Sequence, residues 1–557
     1  MDDAKPSAIS QIHNALAQRG FVRDWSETEV PTYTGVLDPH GLKVPVSISL
    51  PDLDFVKPPP IRIDPAFEVQ KRLFPHLSSG RAICYFTAGA VIFDRYKPAG
   101  TVLSCLNQAE KVLVDALRGR SDGDFANEFQ GYWGEKYLSV DLPPAYTGKA
   151  KIHFYKWRAE QKTKSILCLE DSWLIAYYEN QPGFELTTED CLVVQVREPL
   201  TLDPAENWPP KTLVDLNRWL SVVAPALVGE VEKLLVTARE ASIAVRAPNG
   251  IFGYRIGIPK FLETEEFLKS RRGKLPSVMK KYEDKIEVER IEGRRADTDY
   301  IFSRNMGRAA NLAGKKVLLI GCGTIGGYVA HQLAQSGAGA DGGELRLADP
   351  DILNTANLGR HLLGVDYLYK NKAEGCQKFI LAQLPMLRVT AYSDDARNLL
   401  KDASKFDLII DATGEEGLSL AINHMAVQAR PNWPPVIFGY LIGNGALAQT
   451  ILVDQPDRAC LKCLKPELAG PPRFQDLKPG VEVERVANLE CGDAEHIPFP
   501  VSRSVGAASL IVNLALDWAS GKANNRFRNM LFDPERAFFI KDGSPSPSKS
   551  CPTCQQT

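Results

Sequence analysis

Residues 317–327 read Val-Leu-Leu-Ile-Gly-Cys-Gly-Thr-Ile-Gly-Gly, an apolar run that breaks into closely spaced glycines. A run of this kind is a buried strand entering a tight turn and then a helix. Gly321 and Gly323 let the backbone turn sharply and approach a phosphate, and Gly326 opens a helix whose N-terminus offers free N–H groups and partial positive charge. The flanking chain must therefore build a sheet that carries a nucleotide at a strand end. The next strand-like stretch, Glu344-Leu-Arg-Leu-Ala348, runs into Asp349-Pro-Asp351-Ile-Leu-Asn354-Thr-Ala-Asn357-Leu-Gly-Arg360-His361. Asp349 stands where a ribose would be bound. The same glycines and acidic residue describe a dinucleotide site, and by themselves they favour NAD. The stretch to Arg360 reverses that preference, because it sets amides and a guanidinium beside the phosphates. A guanidinium stays ionised and donates several hydrogen bonds, which suits a triphosphate. Lys372 adds a second cation.

The chain has 557 residues, enough for three or four domains. Its formal charge of −2 argues against a nucleic-acid or anionic-membrane surface. No apolar run reaches membrane-spanning length, and Met1-Asp-Asp-Ala-Lys-Pro6 lacks the apolar core of a secretory signal, so a cytoplasmic protein is expected. Eleven cysteines then read as metal ligands and reactive thiols in a reducing compartment.

Periodicity divides the chain at about residues 125 and 295. The first region opens with an amphipathic helix near Ala8 to Arg19 and closes with one ending at Leu117, with strands around 33–37 and 44–50 between them. The middle region, 126–295, alternates strands (151–157, 166–178, 191–196) with a long helix from about Lys211 to Glu240. Its charged end, Lys269 to Arg295, reads as a solvated helix or linker. In the third region, 296–557, strands at 317–321, 345–349, 408–411 and 436–440 separated by helices imply a doubly wound sheet. The expected fold class is thus a multidomain α/β and α+β protein.

Cys460-Leu-Lys-Cys463 and Cys551-Pro-Thr-Cys554 are two C-x-x-C knuckles, and together they can close a structural zinc site of four thiolates. Cys322 and Cys376 read as packing residues. Cys491, in Leu489-Glu-Cys-Gly-Asp493, has polar neighbours that point to exposure.

The third region resembles the ubiquitin-activating superfamily, including the ThiF/MoeB-type activators of sulfur carriers, whose pattern is a strand, G-x-G-G-x-G, D-x-D-x-V-x-x-S-N-L-x-R-Q and then a lysine. The matching residues are Gly321, Gly323, Gly326, Asp349, Asp351, Asn357, Leu358, Arg360 and Lys372. Tyr300-Ile-Phe-Ser-Arg304 is similar to the R-Y-x-R-Q segment, whose arginine enters the site of the other subunit of a homodimer. The resemblance implies adenylation of a protein C-terminus with ATP and Mg2+. Arg304, Arg360 and Lys372 would neutralise charge, and Asp349 would hold the ribose. Where the family has D-C-T-D-N, this chain reads Asp411-Ala-Thr-Gly414-Glu415-Glu416, so the carboxylate comes from Glu415 or Glu416, or Asp411 and Asp351 suffice. The segment from Pro466 resembles a crossover loop, which makes Cys491 the thioester-forming residue.

The first region resembles the ubiquitin-conjugating fold through Pro58-Pro-Pro60-Ile-Arg-Ile63, Phe74-Pro75-His76, Gly80 to Cys84 and Lys97-Pro98-Ala99 to Leu103. Cys84 then becomes the second thioester cysteine. His76 takes the place of the family asparagine, either donating a hydrogen bond to the oxyanion or bridging its own loop. The two halves together resemble the bacterial fusion proteins of type II CBASS anti-phage operons. That resemblance implies activation of the C-terminus of a cGAS-like nucleotidyltransferase and its conjugation to target amines. A bacterial ubiquitin-like modifier is the alternative substrate, and a sulfur-carrier adenylyltransferase the alternative activity.

Overall fold

The computed structural model describes residues 7–26, 29–67, 72–78, 80–87, 89–134, 136–204, 208–260, 274–307, 309–486 and 497–556. They form two compact units, one of residues 1–140, 145–169 and 183–295, the other of residues 141–144, 170–182 and 296–557.

The first unit begins with helix Ala8–Gln18, capped by the Ser7 hydroxyl, which accepts from the Ser10 N–H. An antiparallel meander follows: β1 (Val22–Asp24), β2 (Thr32–Leu37), β3 (Val44–Ser49) and β4 (Ile61–Ile63). Residues of β3 alternate between buried and half-buried, the period-2 signature of a sheet with one face on a core. That face meets Ile12 and Leu16 of the first helix and Val102 and Leu106 of helix Pro98–Leu117. Pro98 sits in the first turn, where its missing N–H has no intrahelical partner to lose.

The same unit contains a closed barrel of β5 (Lys136–Asp141), β6 (Gly148–Trp157), β7 (Lys162–Cys168), β8 (Phe184–Gln195), β9 (Glu240–Ala247), β10 (Gly250–Gly257) and β11 (Glu289–Arg295). Helix Asp124–Trp133 is anchored on it by aromatic packing. Phe129 meets Phe252 edge-on at 4.7 Å, and Trp133 lies 5.0 Å from Trp219. The Trp133 indole N–H is shared between the carbonyls of Gly253 and Ile291, each 3.1 Å away. The boundary expected near residue 125 falls inside this helix.

Three expectations for the middle region need correction. The strand expected over 166–178 stops at Cys168, and Trp173–Glu179 is a helix whose first turn is capped by Ser172. The long helix expected from Lys211 to Glu240 is broken into Leu213–Val223, a 3-10 turn at Pro225–Leu227 and Glu230–Leu235. Proline at 225 removes a helical N–H, and Gly229 adopts a left-handed φ of 79°. Of the charged run expected to be a solvated helix or linker, residues 269–273 lie outside the described residues and 274–281 are helical, but the run ends as barrel strand β11, with Ile291 and Glu292 buried.

The second unit is a seven-stranded sheet in the order β14-β13-β12-β15-β16-β17-β18, built from β12 (Lys316–Ile320), β13 (Glu344–Ala348), β14 (Val389–Tyr392), β15 (Leu408–Asp411), β16 (Val436–Ile442), β17 (Leu447–Val453) and β18 (Phe527–Leu531). Strands β14 to β16 run parallel and the last two are antiparallel. Alternate residues of β12 feed two cores. Val317 and Leu319 pack with helices Gly326–Gln335, Lys372–Gln383 and Val501–Ala519, whereas Leu318 and Ile320 pack with Glu416–Gln428. Strand order reverses between β12 and β15, and ligands of open α/β sheets bind at such a switch point.

Candidate functional site

The glycine loop lies at that switch point, and its glycines are required for two different reasons. Gly321 has φ +88°, and a Cβ there would come within 2.8 Å of Thr413 backbone atoms; one on Gly326 would come within 1.8 Å of the Gly321 carbonyl oxygen. These two glycines let the loop pack on itself and on residues 412–413. Gly323 has open space around it, as a backbone meant to approach a ligand requires.

Asp349, at the end of β13, is 7% exposed and organises this loop. One carboxylate oxygen accepts from the Cys322 N–H at 2.7 Å, and the other accepts from the Asp351 N–H at 2.8 Å. Burial pushes its carboxyl above the usual range, against the pull of those two N–H donors. Lys372 begins helix Lys372–Gln383, and its ammonium lies 2.8 Å from Asp351. Asn371, which sequence reasoning passed over, caps that helix by accepting from the Glu374 N–H. It also donates to the carbonyls of Asp349 and Asp351, so it ties the lysine to the strand end. An Asn directly before a helical run is an N-cap signal that could have found it.

Asn357 is spent on structure, because its side chain accepts from the Asn354 N–H at 3.0 Å and closes a 3-10 turn. That turn presents Arg360, whose guanidinium lies over the Phe499 ring at 5.5 Å. The Arg360 Nε is buried and has no hydrogen-bond partner among the described residues. A buried, unsatisfied guanidinium N–H is costly unless an anion completes it. Arg304 is exposed, with its guanidinium over the Tyr300 ring.

Asp411 is 2% exposed, and its oxygens accept from the N–H and hydroxyl of Thr413 and from the Ser419 hydroxyl. Burial raises its carboxyl. Its hydrogen bonds build the loop that packs on Gly321. Gly414 has φ +72° with open space around its Cα. Glu416, Asp411 and Gly414 line a cavity of about 320 Å3 that continues along Gly439–Ile442 of β16 to Leu461–Lys465 of the knuckle. Glu415 is exposed at the helix N-cap and does not line that cavity.

Cys460, Cys463, Cys551 and Cys554 converge with all four sulfurs within 4.8 Å of one another. The closest pairs are 3.5 to 3.8 Å apart. Four thiolates at ~2.3 Å around a tetrahedral ion lie ~3.8 Å apart, whereas a disulfide requires ~2.05 Å. The Asn423 amide and the Ser548 N–H point at Cys460 and Cys463, donors of the kind that thiolates accept. The cluster fits one zinc ion. Cys322 and Cys376 are fully buried in the core, as packing residues.

In the first unit, Cys84 is exposed, and its N–H donates to the His76 carbonyl at 2.7 Å. Pro75 is buried, and the Cys84 segment is fixed to β4 by the Ile83 N–H, which donates to the Ile61 carbonyl. His76 has φ +61°, and its ring is held by two carboxylates. Nε2 is 3.0 Å from Asp124, Nδ1 is 2.6 Å from Glu128, and Glu128 also accepts from the His76 N–H. With both nitrogens engaged, the ring bridges its loop to helix Asp124–Trp133. The Tyr132 hydroxyl completes the bridge by donating to the Phe74 carbonyl. Partial burial and the Glu128 charge raise the Cys84 thiol. No sequence motif marked Asp124, Glu128 or Tyr132; only the fold brings them to His76. Cys491 lies outside the described residues.

Residues 301–552 match the ThiF family, and residues 10–140 match the Prokaryotic E2 family B. An ATP-dependent ubiquitin transferase-like protein Cap2 of Pseudomonas aeruginosa is 28% identical, aligned over 98% of this chain and 99% of its own length. The protein of the same name from Vibrio cholerae is 26% identical over 80% of each chain. A crystal structure of E. coli MccB with ATP, 20% identical, covers 45% of this chain and 68% of its own with a TM-score of 0.32. The two matched segments give the chain the arrangement of a fusion, a ubiquitin-conjugating-like domain over residues 10–140 joined to a ThiF-like adenylation domain over residues 301–552.

Proposed function

We propose that the chain uses ATP to activate the C-terminal carboxylate of a protein and conjugates it, through two cysteines, to an amine. The observation that carries the activation step is the buried, unsatisfied Arg360 Nε, on a turn whose next residue, His361, bonds the glycine loop at Cys322. Arg360 and Lys372 would receive the phosphates, Asp349 would keep the loop shaped around the nucleoside, and Mg2+ would share in neutralising charge when bound. The carboxylate oxygen attacks the α-phosphorus, and the bond to pyrophosphate breaks. The cavity from Gly414 along β16 would seat the incoming tail, and Glu416 and Asp411 are carboxylates that line it beside Gly414. Arg304 would complete the site of a second copy in a homodimer.

The Cys491 thiolate would then attack the acyl carbon and release AMP, and exchange would pass the acyl group to Cys84. Attack by an amine releases the Cys84 thiolate and leaves a proton to be taken up. Glu128, close enough for its charge to raise the Cys84 thiol, is placed to accept it, with His76 and Asp124 holding the carboxylate in position. Carboxylates around a thioester favour a cationic lysine as acceptor. Within this reading the activated protein is a cGAS-like nucleotidyltransferase in cytoplasmic anti-phage defence. A ubiquitin-like modifier is the other carrier to assay.

Arg360→Ala should lower ATP–pyrophosphate exchange at least about a hundredfold, as loss of a charged contact to a transferring phosphate does. Asp349→Ala should act in the same direction. Exchange at the wild-type rate in both variants would place the adenylation site elsewhere. Glu128→Gln should slow amide formation about a hundredfold near neutral pH, with recovery toward about pH 9 as free amine accumulates, while thioester formation on Cys84 is retained. A deficit equal at every pH would remove Glu128 from proton transfer.

A further inference from the structure

His361 follows Arg360 and is 6% exposed. Its Nδ1 accepts from the Leu363 N–H at 3.0 Å, and its Nε2 lies 2.7 Å from the Cys322 carbonyl oxygen in the glycine loop. Because Nδ1 is an acceptor, the ring proton resides on Nε2, which donates to that carbonyl. A single neutral tautomer satisfies both bonds. The peptide units on either side of Cys322 are thus held from opposite directions, the N–H by Asp349 and the carbonyl by His361.

We propose that His361 is a positioning residue of the adenylation site, a neutral clamp that locks the Arg360 turn to the glycine loop and that acid releases. The resembling family has glutamine after its arginine, which supplies a donor and an acceptor but never ionises. Neutral histidine likewise offers one donor and one acceptor, and adds a proton-sensitive element. An imidazolium would place an N–H at Nδ1 against the Leu363 N–H, two donors facing each other inside a buried site. Lys372 of helix Lys372–Gln383 is the charged group that acts on the ring, and the buried Cys376 thiol lies with the His361 Cε1 around Gly327. Burial, with the Lys372 charge acting in the same direction, holds the ring neutral below the ordinary histidine range. The clamp is therefore intact at neutral pH and is lost only as pH falls through that lowered value.

The inference rests on the adenylation reading for its consequence but not for its geometry, so two measurements on the full chain separate them. Hydrogen exchange in the nucleotide-free protein reads the clamp. Protection of the Leu363 amide, after correction for the intrinsic pH dependence of exchange, should fall about tenfold between about pH 7.5 and about pH 5 in the wild type, and should stay constant in His361→Gln. Calorimetric ATP binding reads the consequence. Wild-type affinity should weaken about tenfold more than that of His361→Gln over the same range, a comparison in which titration of ATP itself cancels, and His361→Ala should bind weakly throughout. Equal pH dependence of Leu363 protection in wild type and His361→Gln overturns the clamp. A proton-sensitive clamp in a chain that binds no ATP would instead overturn the adenylation reading alone.

Discussion

Cys84→Ala should abolish amide conjugates while leaving ATP–pyrophosphate exchange at the wild-type rate. Cys84 belongs to the first compact unit and the glycine loop to the second, and each has its own hydrophobic core, so removing one exposed thiol takes nothing from the adenylation machinery. Loss of a nucleophile that carries the acyl group costs several orders of magnitude, because no other group at that position can form the intermediate. The expected residue of the reaction is a reductant-sensitive adduct on Cys491 that accumulates with nowhere to go. Cys491→Ala should remove both adducts and again spare exchange. Non-reducing gels with a labelled carrier and a parallel exchange assay decide the matter. Conjugates formed at the normal rate by Cys84→Ala would reduce the first domain to a docking module. Exchange lost together with conjugation would show that the variant has damaged the fold rather than the relay.

The legible parts of this chain are those where backbone geometry dictates residue type. Gly321 and Gly326 can be nothing larger, since any Cβ would strike Thr413 or the loop itself, so the sequence had to show them. Two C-x-x-C knuckles are equally hard to disguise, because each needs its sulfurs one turn apart. The barrel was much less readable. The Glu289–Arg295 run looks like a solvated charge cluster, yet Glu292 is buried against Gln130 and Arg294 in a closed sheet. Charge in sequence reports nothing about a partner 162 residues away. Asp124 and Glu128 were invisible for the same reason, being ordinary helix residues until the fold sets them on His76. The histidine itself was legible as a substitution for asparagine, but of its two open roles the bridging one is what the geometry displays. Asn357 and Asp411, expected at the nucleotide, also close a turn and shape a loop. Polar residues conspicuous in a motif can serve the ligand through the backbone they hold.

Replacing Cys551 and Cys554 by serine should release about one zinc ion per chain and lower the melting temperature by roughly 6–12 °C, with a second effect on activity. The first expectation follows from what the four cysteines join. Cys460 precedes and Cys463 lies within the 3-10 turn Leu461–Leu464, Cys551 and Cys554 lie 91 residues downstream of them, and the sulfur cluster is the cross-link between the two segments. Structural zinc binds its thiolates with ~10–16 kcal/mol in peptides that are unfolded without it. Here one core contains none of the four cysteines and the other contains Cys460, Cys463 and Cys551 among many other apolar residues, so the expected loss is the part that orders the knuckle and the C-terminal segment, on the order of 3 kcal/mol. At roughly 2–4 °C per kcal/mol for a domain of this size, the expected fall follows. The second effect arises because Leu461, Lys462, Leu464 and Lys465 on that turn line the cavity that ends at Asp411 and Gly414. A knuckle without its ion leaves one wall of the cavity loose while Arg360, Lys372 and Asp349 stay in place. ATP binding should therefore survive, and exchange driven by the protein substrate should rise in KM for that substrate by about tenfold with a smaller change in kcat. Elemental analysis, calorimetry and substrate titration check the three parts separately. A wild-type chain without metal, or a double variant that melts at the wild-type temperature, would remove zinc from this fold. An equal loss of ATP affinity would place the knuckle at the nucleotide rather than at the incoming tail.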